Sequence, residues 1–506
     1  MRLNTIRQEI EAECHKLISR YGVSVASVKR QQRLFNKRTW IQPRRPDSYS
    51  PKHWDIAPEF NPFYVRKRIP QFVHSISARI ENGTYQPKPS LHIEIPKNGG
   101  GARTIAIAPV ADSAVSRWLF RRLLAKNIQK LSSYAFAYRP DRQISHAIEH
   151  LQDYIDENPR LFLVEYDFKS YFDSLDHEFL LELLHRKVRV GERELAVARA
   201  LLKARYARES DYKIGRFTSR KHGIAQGSSL SLFLANLACI ELDSELEKTG
   251  ACYARYADDT IVLCKTYDQA TKCAHMLHCQ KFDSGTELNL KKSKGISLLS
   301  SEPDPEIRGT ESFDFLGHEL GIEGTNLSHK TKRKMKVKLS KIIHQHLLLY
   351  PTRYDQMSPN RIDLKARIDW DLVTCINEIR LYIYGNMTES QVEGTDPIPA
   401  DTARLGVIAF FSSISIGDRF RELDGWLVNA LNRAIVERRR RLWRWYEIQT
   451  PMLTRAELID GSWYKLKKIK NNTKLPSLFS AWKAIRRVSI SQGALSVGAS
   501  GYNYAN

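Results

Sequence analysis

At 506 residues the chain is long enough for two or three domains with sizeable cores, and its formal net charge of +23 calls for a polyanionic partner. No run of about 18 apolar residues and no signal peptide stands out, which points away from a membrane partner. The seven cysteines lack disulfide-like spacing, which fits a reducing cytoplasm and leaves nucleic acid as the natural partner.

From Ile6 to Arg20 the pattern is helical, and a basic segment, Lys29 to Arg38, follows; Trp40 to Pro62 is a loop rich in proline and aromatic residues. Pro70 to Ile80 reads as a helix with proline in its first turn, broken by Gly83 and Tyr85-Gln86-Pro87-Lys88-Pro89. Helix returns over Ala111 to Gln129. A mixed pattern comes next: strand at 161–167, helices near 177–205 and 228–248, a hairpin at 251–264 and a helix at 268–280. Beyond 328 the composition shifts. Lys330 to Lys341 holds seven Lys or Arg, Ile362 to Ile383 is helical, and Asp401 to Tyr446 continues so, with Arg438-Arg439-Arg440-Arg441 just ahead of Trp443 and Trp445.

Tyr256-Ala257-Asp258-Asp259 lies between two β-prone runs, so a tight hairpin carries two adjacent carboxylates at its tip. Such pairs repel each other and usually exist to hold a cation. A third acid, Asp167, ends the apolar run Leu161-Phe162-Leu163-Val164-Glu165-Tyr166. A strand ending in a carboxylate beside a hairpin tipped with two more suggests a site for two Mg²⁺ ions about 3.5–4 Å apart, a metal that prefers a few carboxylates, phosphates and water. Cys273, His275, His278 and Cys279 are zinc-ligand types. On a helix, however, Cys273 and His275 point about 200° apart, so the reading is a helix with Cys273 buried.

In chain order, further blocks accompany these acids: Ile95-Pro96-Lys97-Asn98-Gly99-Gly100-Gly101-Ala102-Arg103-Thr104-Ile105, then Ser133 to Arg142, Tyr166 to His177, Gly223 to Ser231, Leu288 to Lys294, and Phe313-Asp314-Phe315-Leu316-Gly317. Across residues 60–320 this series resembles the reverse transcriptase family. The resemblance implies an α+β right-hand polymerase: fingers and palm with an antiparallel palm sheet, a helical thumb and a C-terminal helical extension. The boundaries it suggests are a basic N-terminal extension at 1–60, fingers at 61–160, palm with some fingers segments at 161–327, thumb at 328–400 and a basic helical extension and tail at 401–506.

It further implies that Asp167, Asp258 and Asp259 are the catalytic metal ligands, with two Mg²⁺ and Mn²⁺ as a substitute. Lys97 and Arg103 would reach the triphosphate, with Phe168 main chain beside it. Phe172 would pack under the sugar and select deoxynucleotides, with Tyr171 as the other aromatic that could face it. Gln226 and Gly227 would lie near the nascent base pair, and Lys292 near the pyrophosphate, with Lys291 and Lys294 as alternatives. Phe315-Leu316-Gly317 resembles the primer grip. Where the family usually has proline this chain has Ala225, and often also where it has Ser229 and Leu232, which marks a divergent branch and puts the loop's rigidity in question.

With no His-Asn-His pattern and no ribonuclease H carboxylates recognised, the outline resembles bacterial defence-associated and abortive-infection-type reverse transcriptases. The expected partners are an RNA template, a cognate non-coding RNA in particular, its DNA product and dNTPs; monomer, dimer and hexamer, and so a homo-oligomer, are all compatible with the sequence. Tyr502 and Tyr504, on a Gly/Ser-containing tail, are candidates for priming from a protein hydroxyl. Two other functions compete: a template-independent or homopolymer-producing DNA polymerase, and a non-catalytic, maturase-like RNA-binding protein.

Overall fold

The computed structural model describes residues 3–39, 41, 49–96, 101–289, 293–302, 307–349, 361–398, 406–463 and 473–493. Lys97, Lys292, Tyr502 and Tyr504 lie outside the described residues. Among the described residues no helix is long and apolar enough to cross a membrane.

The chain opens with one continuous helix, α1 (Leu3–Thr39), rather than a helix followed by a separate basic segment. Residues 21–39 hold no proline and are rich in good helix formers, so nothing stops the helix at Arg20. Helix α2 (Ile69–Glu81) starts with Pro70 in its first turn, and strands β1 (Ser90–Pro96) and β2 (Ala102–Ile107) form an antiparallel hairpin. Next come α3 (Val110–Asn127), α4 (Ile144–Glu157) and β3 (Leu161–Tyr166). Helices α5 (His177–Arg186) and α6 (Glu192–Leu202) follow, then β4 (Arg205–Ala207) and β5 (Thr218–Ser219), which complete a four-stranded sheet in the order β2-β1-β4-β5.

After α7 (Ser229–Leu237) and α8 (Ile240–Lys248), strands β6 (Cys252–Tyr256) and β7 (Asp259–Cys264) make the second hairpin. Helix α9 (Tyr267–Ser284) leads to β8 (Gly295–Leu299). The central sheet runs Gly309–Thr310, β8, β3, β7, β6, with β3 antiparallel to both of its neighbours. Phe162 and Val164 of β3 join the core formed with the surrounding helices, whereas Leu161 and Leu163 join a second cluster with Ile148, Leu151 and Ile155 of α4. Burial on both faces explains why β3 reads as an unbroken apolar run.

Strands β9 (Ser312–Phe315), β10 (His318–Gly321) and β11 (Asn326–Leu327) lead into α10 (His329–Ile343), continued by a short π-helical turn at His344–Leu348. Helices α11 (Trp370–Tyr384), α12 (Asp418–Tyr446) and α13 (Leu478–Gln492) pack with α10 around one apolar core that spans residues on both sides of 400.

Both ends of α1 are anchored by buried charge. Arg117 of α3 donates to Glu9 at 2.6 Å and to Glu13 at 2.7 Å. At the other end Arg38 donates to Asp371 of α11 at 2.7 Å and contacts His346 Nδ1 at 2.9 Å. Asp371 also accepts from Arg361 at 2.7 Å and from Arg438 at 3.0 Å, while Arg438 donates to Asp369 at 2.7 Å. Arg438 is therefore a buried ion-pair residue and not part of a solvent-facing basic run, and Arg440 and Arg441 both pair with Glu437. Despite the cost of burying it, Asp371 is held well below the usual carboxylate range by Arg438, Arg38 and Arg361.

Removing one partner from such a cluster strands buried charge. Asp371→Ala is predicted to lose about 3–5 kcal/mol of stability, measured by urea denaturation. A loss below about 1 kcal/mol, the scale of an exposed ion pair, would show that the cluster does not hold these elements together.

Candidate active site

The hairpin between β6 and β7 closes with Tyr256 opposite Asp259, so Ala257 and Asp258 form a two-residue turn. Ala257 has φ 61°, a left-handed conformation that a side chain adopts at a cost and that needs support from its surroundings. That support comes from Arg255, whose guanidinium donates at 3.1 Å to the Ala257 carbonyl and at 3.2 Å to Asn236 of α7. The same group makes a two-pronged pair with Asp243 of α8 at 2.7 and 2.5 Å, wholly out of solvent. Burial disfavours the cation, but Asp243 overrides it and holds Arg255 protonated. The Arg255 backbone in turn bonds Tyr134 O and Phe136 N at 2.9 Å each, and Asn236 donates to Ala137 O at 2.8 Å.

On β3, Tyr166 is opposite Thr260 of β7, which puts Asp167, one residue on, level with Asp259. Asp167 and Asp259 both line a groove of about 320 Å³ together with Leu316, Gly317, Lys330 and Lys334. Asp258, half-buried, sits at the adjoining turn. Asn289 fixes Asp167 from behind: its backbone N–H donates to the Asp167 carbonyl at 2.7 Å and its side-chain amide to Asp167 Oδ2 at 3.3 Å. The Asp167 N–H donates to Ser293 Oγ at 3.1 Å. Among the described residues no three His, Cys, Asp or Glu side chains form a ready-made metal cage. The hard oxygen donors of Asp167 and Asp259 on one groove nonetheless suit Mg²⁺, which draws part of its shell from substrate phosphates and water.

The aromatic pair next to Asp167 separates by packing. Tyr171 is committed to the core, its hydroxyl donating to Ala235 O at 2.7 Å, while Phe172 is half-buried and meets the Tyr138 ring edge-on at 6.5 Å. Phe168 is buried against Tyr171. Arg103 is exposed on β2, opposite Ile95.

Gln226 and Gly227 are not among the residues that line the acidic groove; Gln226 lines a separate hollow with Ala106 and Asp173. The Gln226 carbonyl accepts from Ala106 N–H of β2 at 2.8 Å, and its side chain reaches Asp173 at 3.4 Å. Gly227 has φ 115°, and a Cβ there would lie 2.7 Å from the Ala106 carbonyl oxygen. The loop is pinned by hydrogen bonds on either side of Ala225: Gly223 N to Leu175 O at 2.8 Å, Ile224 N to Phe172 O at 2.7 Å, and Ser228 Oγ to Ser116 Oγ at 2.7 Å.

The far wall is the β9–β10 hairpin, where Leu316 and Gly317 both have positive φ and Phe315 faces His318, the backbone signs of a type I′ turn. Phe315 is buried, and the Gly317 carbonyl accepts from Ser328 N–H at 3.1 Å. Ser328 then caps α10 by accepting from Thr331 N–H at 3.2 Å. His318 Nδ1 contacts the Leu316 carbonyl at 3.2 Å. Because a carbonyl only accepts, the ring carries its proton on Nδ1. The four-residue Cys/His cluster does not converge: Cys273 is buried, Cys279 contacts His275 at 3.4 Å, and the His278 ring packs edge-on against Tyr166.

Residues 95–320 match the family described as reverse transcriptase (RNA-dependent DNA polymerase). Protein YkfC of Escherichia coli (strain K12) is 23% identical over 334 residues, covering 58% of this chain and 83% of YkfC. Group II intron-encoded protein LtrA of Lactococcus lactis subsp. cremoris is 26% identical over 174 residues, 34% of this chain and 27% of LtrA. Apo telomerase from Candida tropicalis, truncated from its C-terminal domain, superposes with a TM-score of 0.38 at 16% identity, over 50% of this chain and 59% of that one.

Two outcomes are expected. Gly227→Ala combines a forbidden φ with a clash on Ala106 and should cost about 1–3 kcal/mol together with a loss of polymerisation; full activity and an unchanged melting temperature would remove the steric argument. Burial pushes His318 down to about 4, so the unfolded chain binds the extra proton first. The stability this histidine contributes is complete above about pH 6.5 and is lost as pH falls toward 4, by at most about 3 kcal/mol. Urea denaturation of wild type and His318→Asn at pH 7 and pH 5 should show a smaller acid loss in the variant; parallel losses would clear His318 of any part.

Proposed function

We propose that residues 95–320, which match the reverse transcriptase family, form an RNA-directed DNA polymerase domain whose reaction centre is the groove shared by Asp167 and Asp259. The observation that carries this reading is the register of β3 against β7, which brings acids 92 residues apart in sequence (259 less 167) onto one groove. Asp167, Asp258 and Asp259 would hold two Mg²⁺, or Mn²⁺ in their place. When bound, these ions lower the pKa of an attacking hydroxyl and offset charge on the leaving pyrophosphate.

The chain's own groups do the positioning, on which phosphoryl transfer depends. Lys330 and Lys334, exposed at the start of α10 and lining the groove, face the primer–template phosphates, and the Leu316–Gly317 turn supports the primer end. Arg103 draws in the triphosphate, assisted by Lys97. Phe172 forms the floor under the sugar and excludes a 2′-hydroxyl. Gln226 and the bare backbone of Gly227 receive the nascent base pair, and Lys292 supplies a cation near the leaving group.

At the finer level the template is a cognate non-coding RNA copied into cDNA in bacterial antiviral defence, a reading supported by the resemblance through the Ala225 loop. Priming is from a 3′-hydroxyl or, at initiation, from Tyr502 or Tyr504.

Asp167→Asn should lower primer extension at least about a thousandfold, the loss of roughly 4 kcal/mol of charge stabilisation, with RNA binding retained. Sequencing the nucleic acid that copurifies with wild type and with Asp258→Ala/Asp259→Ala tests the rest. One discrete RNA in both, with complementary DNA only in wild type, is expected. Arbitrary or homopolymeric DNA would defeat the templated reading.

A further inference from the structure

Outside the groove, one surface combines exposed aromatic and basic groups without an assigned role. Trp443, 56% exposed, and Val436, 61% exposed, stand on the solvent side of α12 among Arg433, Arg439, Arg440 and Arg444, all exposed. Large apolar side chains in water on an otherwise well-packed helix mark a contact surface. Arg438 and Leu442 of the same turns point the other way, into the core.

The side on which this stripe lies is fixed by α10. Lys332 pairs with Glu422, and Lys336 rests its ammonium over the Trp426 ring at 5.5 Å. Positions 422, 426, 433, 440 and 444 recur at helical spacings of four and seven and share one face. Val436 and Trp443 lie about 40° and 60° round the helix from Arg440, so they border the line on which the basic face of α10 rests, and α10 begins at the groove with Lys330 and Lys334. From Arg419, which donates to Glu319 of β10 at 2.7 Å, the helical rise carries Trp443 about 36 Å away.

The geometry points to a binding track for single-stranded RNA that leaves the groove along α10 and ends with a base stacked on Trp443. Positive charge calls for a polyanion, and an exposed indole beside guanidinium groups takes the face of any unpaired base without regard to sequence. Glu437, the acid within this stretch, is already held by Arg440 and Arg441, so it does not oppose a phosphate chain. The choice of RNA rests on the RNA-directed reading above; the track itself does not.

The test uses the full chain and two probes: a fluorescein-labelled single-stranded oligo(U) RNA long enough to span α10 and α12, and a short RNA–DNA template–primer that fits within the groove. Trp443→Ala should weaken oligo(U) binding about fivefold or more, and Trp443→Phe should recover most of it. Arg433→Ala/Arg444→Ala should reduce the salt slope of binding by about 1.4. Extension of the short template–primer should be unchanged in all three variants, and 4-thiouridine RNA should crosslink to the Arg439–Trp445 segment in wild type. Unchanged oligo(U) affinity in Trp443→Ala, or crosslinks confined to the groove, would overturn the track, as would a stripe that binds phosphatidylserine vesicles but not RNA. Absence of extension by wild type on any RNA template would count against the polymerase reading instead.

Discussion

The arrangement of the site depends on one buried cation. Arg255 stands at the end of the strand before the acidic turn, and its five donors have no water to satisfy them. Asp243 neutralises it, Asn236 and the Ala257 carbonyl take further donors, and its own backbone is stitched to residues 134–136. A pair this deeply desolvated is weak evidence for net stability. What it supplies is geometry, because the turn that carries Asp258 is bound to two helices through a single planar group, and to a loop through the backbone of the same residue. The positive φ of Ala257 is tolerable only in such a frame.

A second buried cluster, around Asp371, works on the other side of the groove. There three arginines from distant parts of the chain meet one carboxylate, and α10, α11 and α12 are held in one packing unit with the end of α1. The groove thus lies between two charge-locked bodies. Its walls are hairpins with left-handed turn residues, at Ala257 and at Leu316–Gly317, whose backbone shape is set by pairing on either side.

Much of this was legible in the sequence because the chemistry leaves few choices. Three acids next to β-prone runs, a glycine in Gln226-Gly227 and the Phe315-Leu316-Gly317 turn all advertise themselves through residue type and local pattern. The β3 strand was visible for the same reason, since burial on both faces leaves an uninterrupted apolar run. Asn289 lay in a recognised block, but its grip on Asp167 was not apparent, because a polar side chain behind a carboxylate has no pattern of its own. Arg255 and Asp243 were hidden in the same way: a buried pair is a relation between helix and strand that composition cannot express. The burial of Arg438 was hidden too, since one arginine in a run of four turns inward about 100° from its neighbours and nothing local says which. Tyr171 and Phe172 look alike in sequence, and only packing separates the buried one from the half-buried one.

That first helix has a consequence of its own. It is pinned through Arg117 near one end and through Asp371 at the other, so its length acts as a gauge block between the two bodies that flank the groove. One residue inserted between Arg20 and Lys29 would push Arg38 about 1.5 Å along the axis and rotate it about 100°, out of reach of its carboxylate. Chains that share this layout should therefore vary freely in the loops around it, yet keep the count of residues between those two anchor points, as a machine keeps the length of its spacer while its covers change.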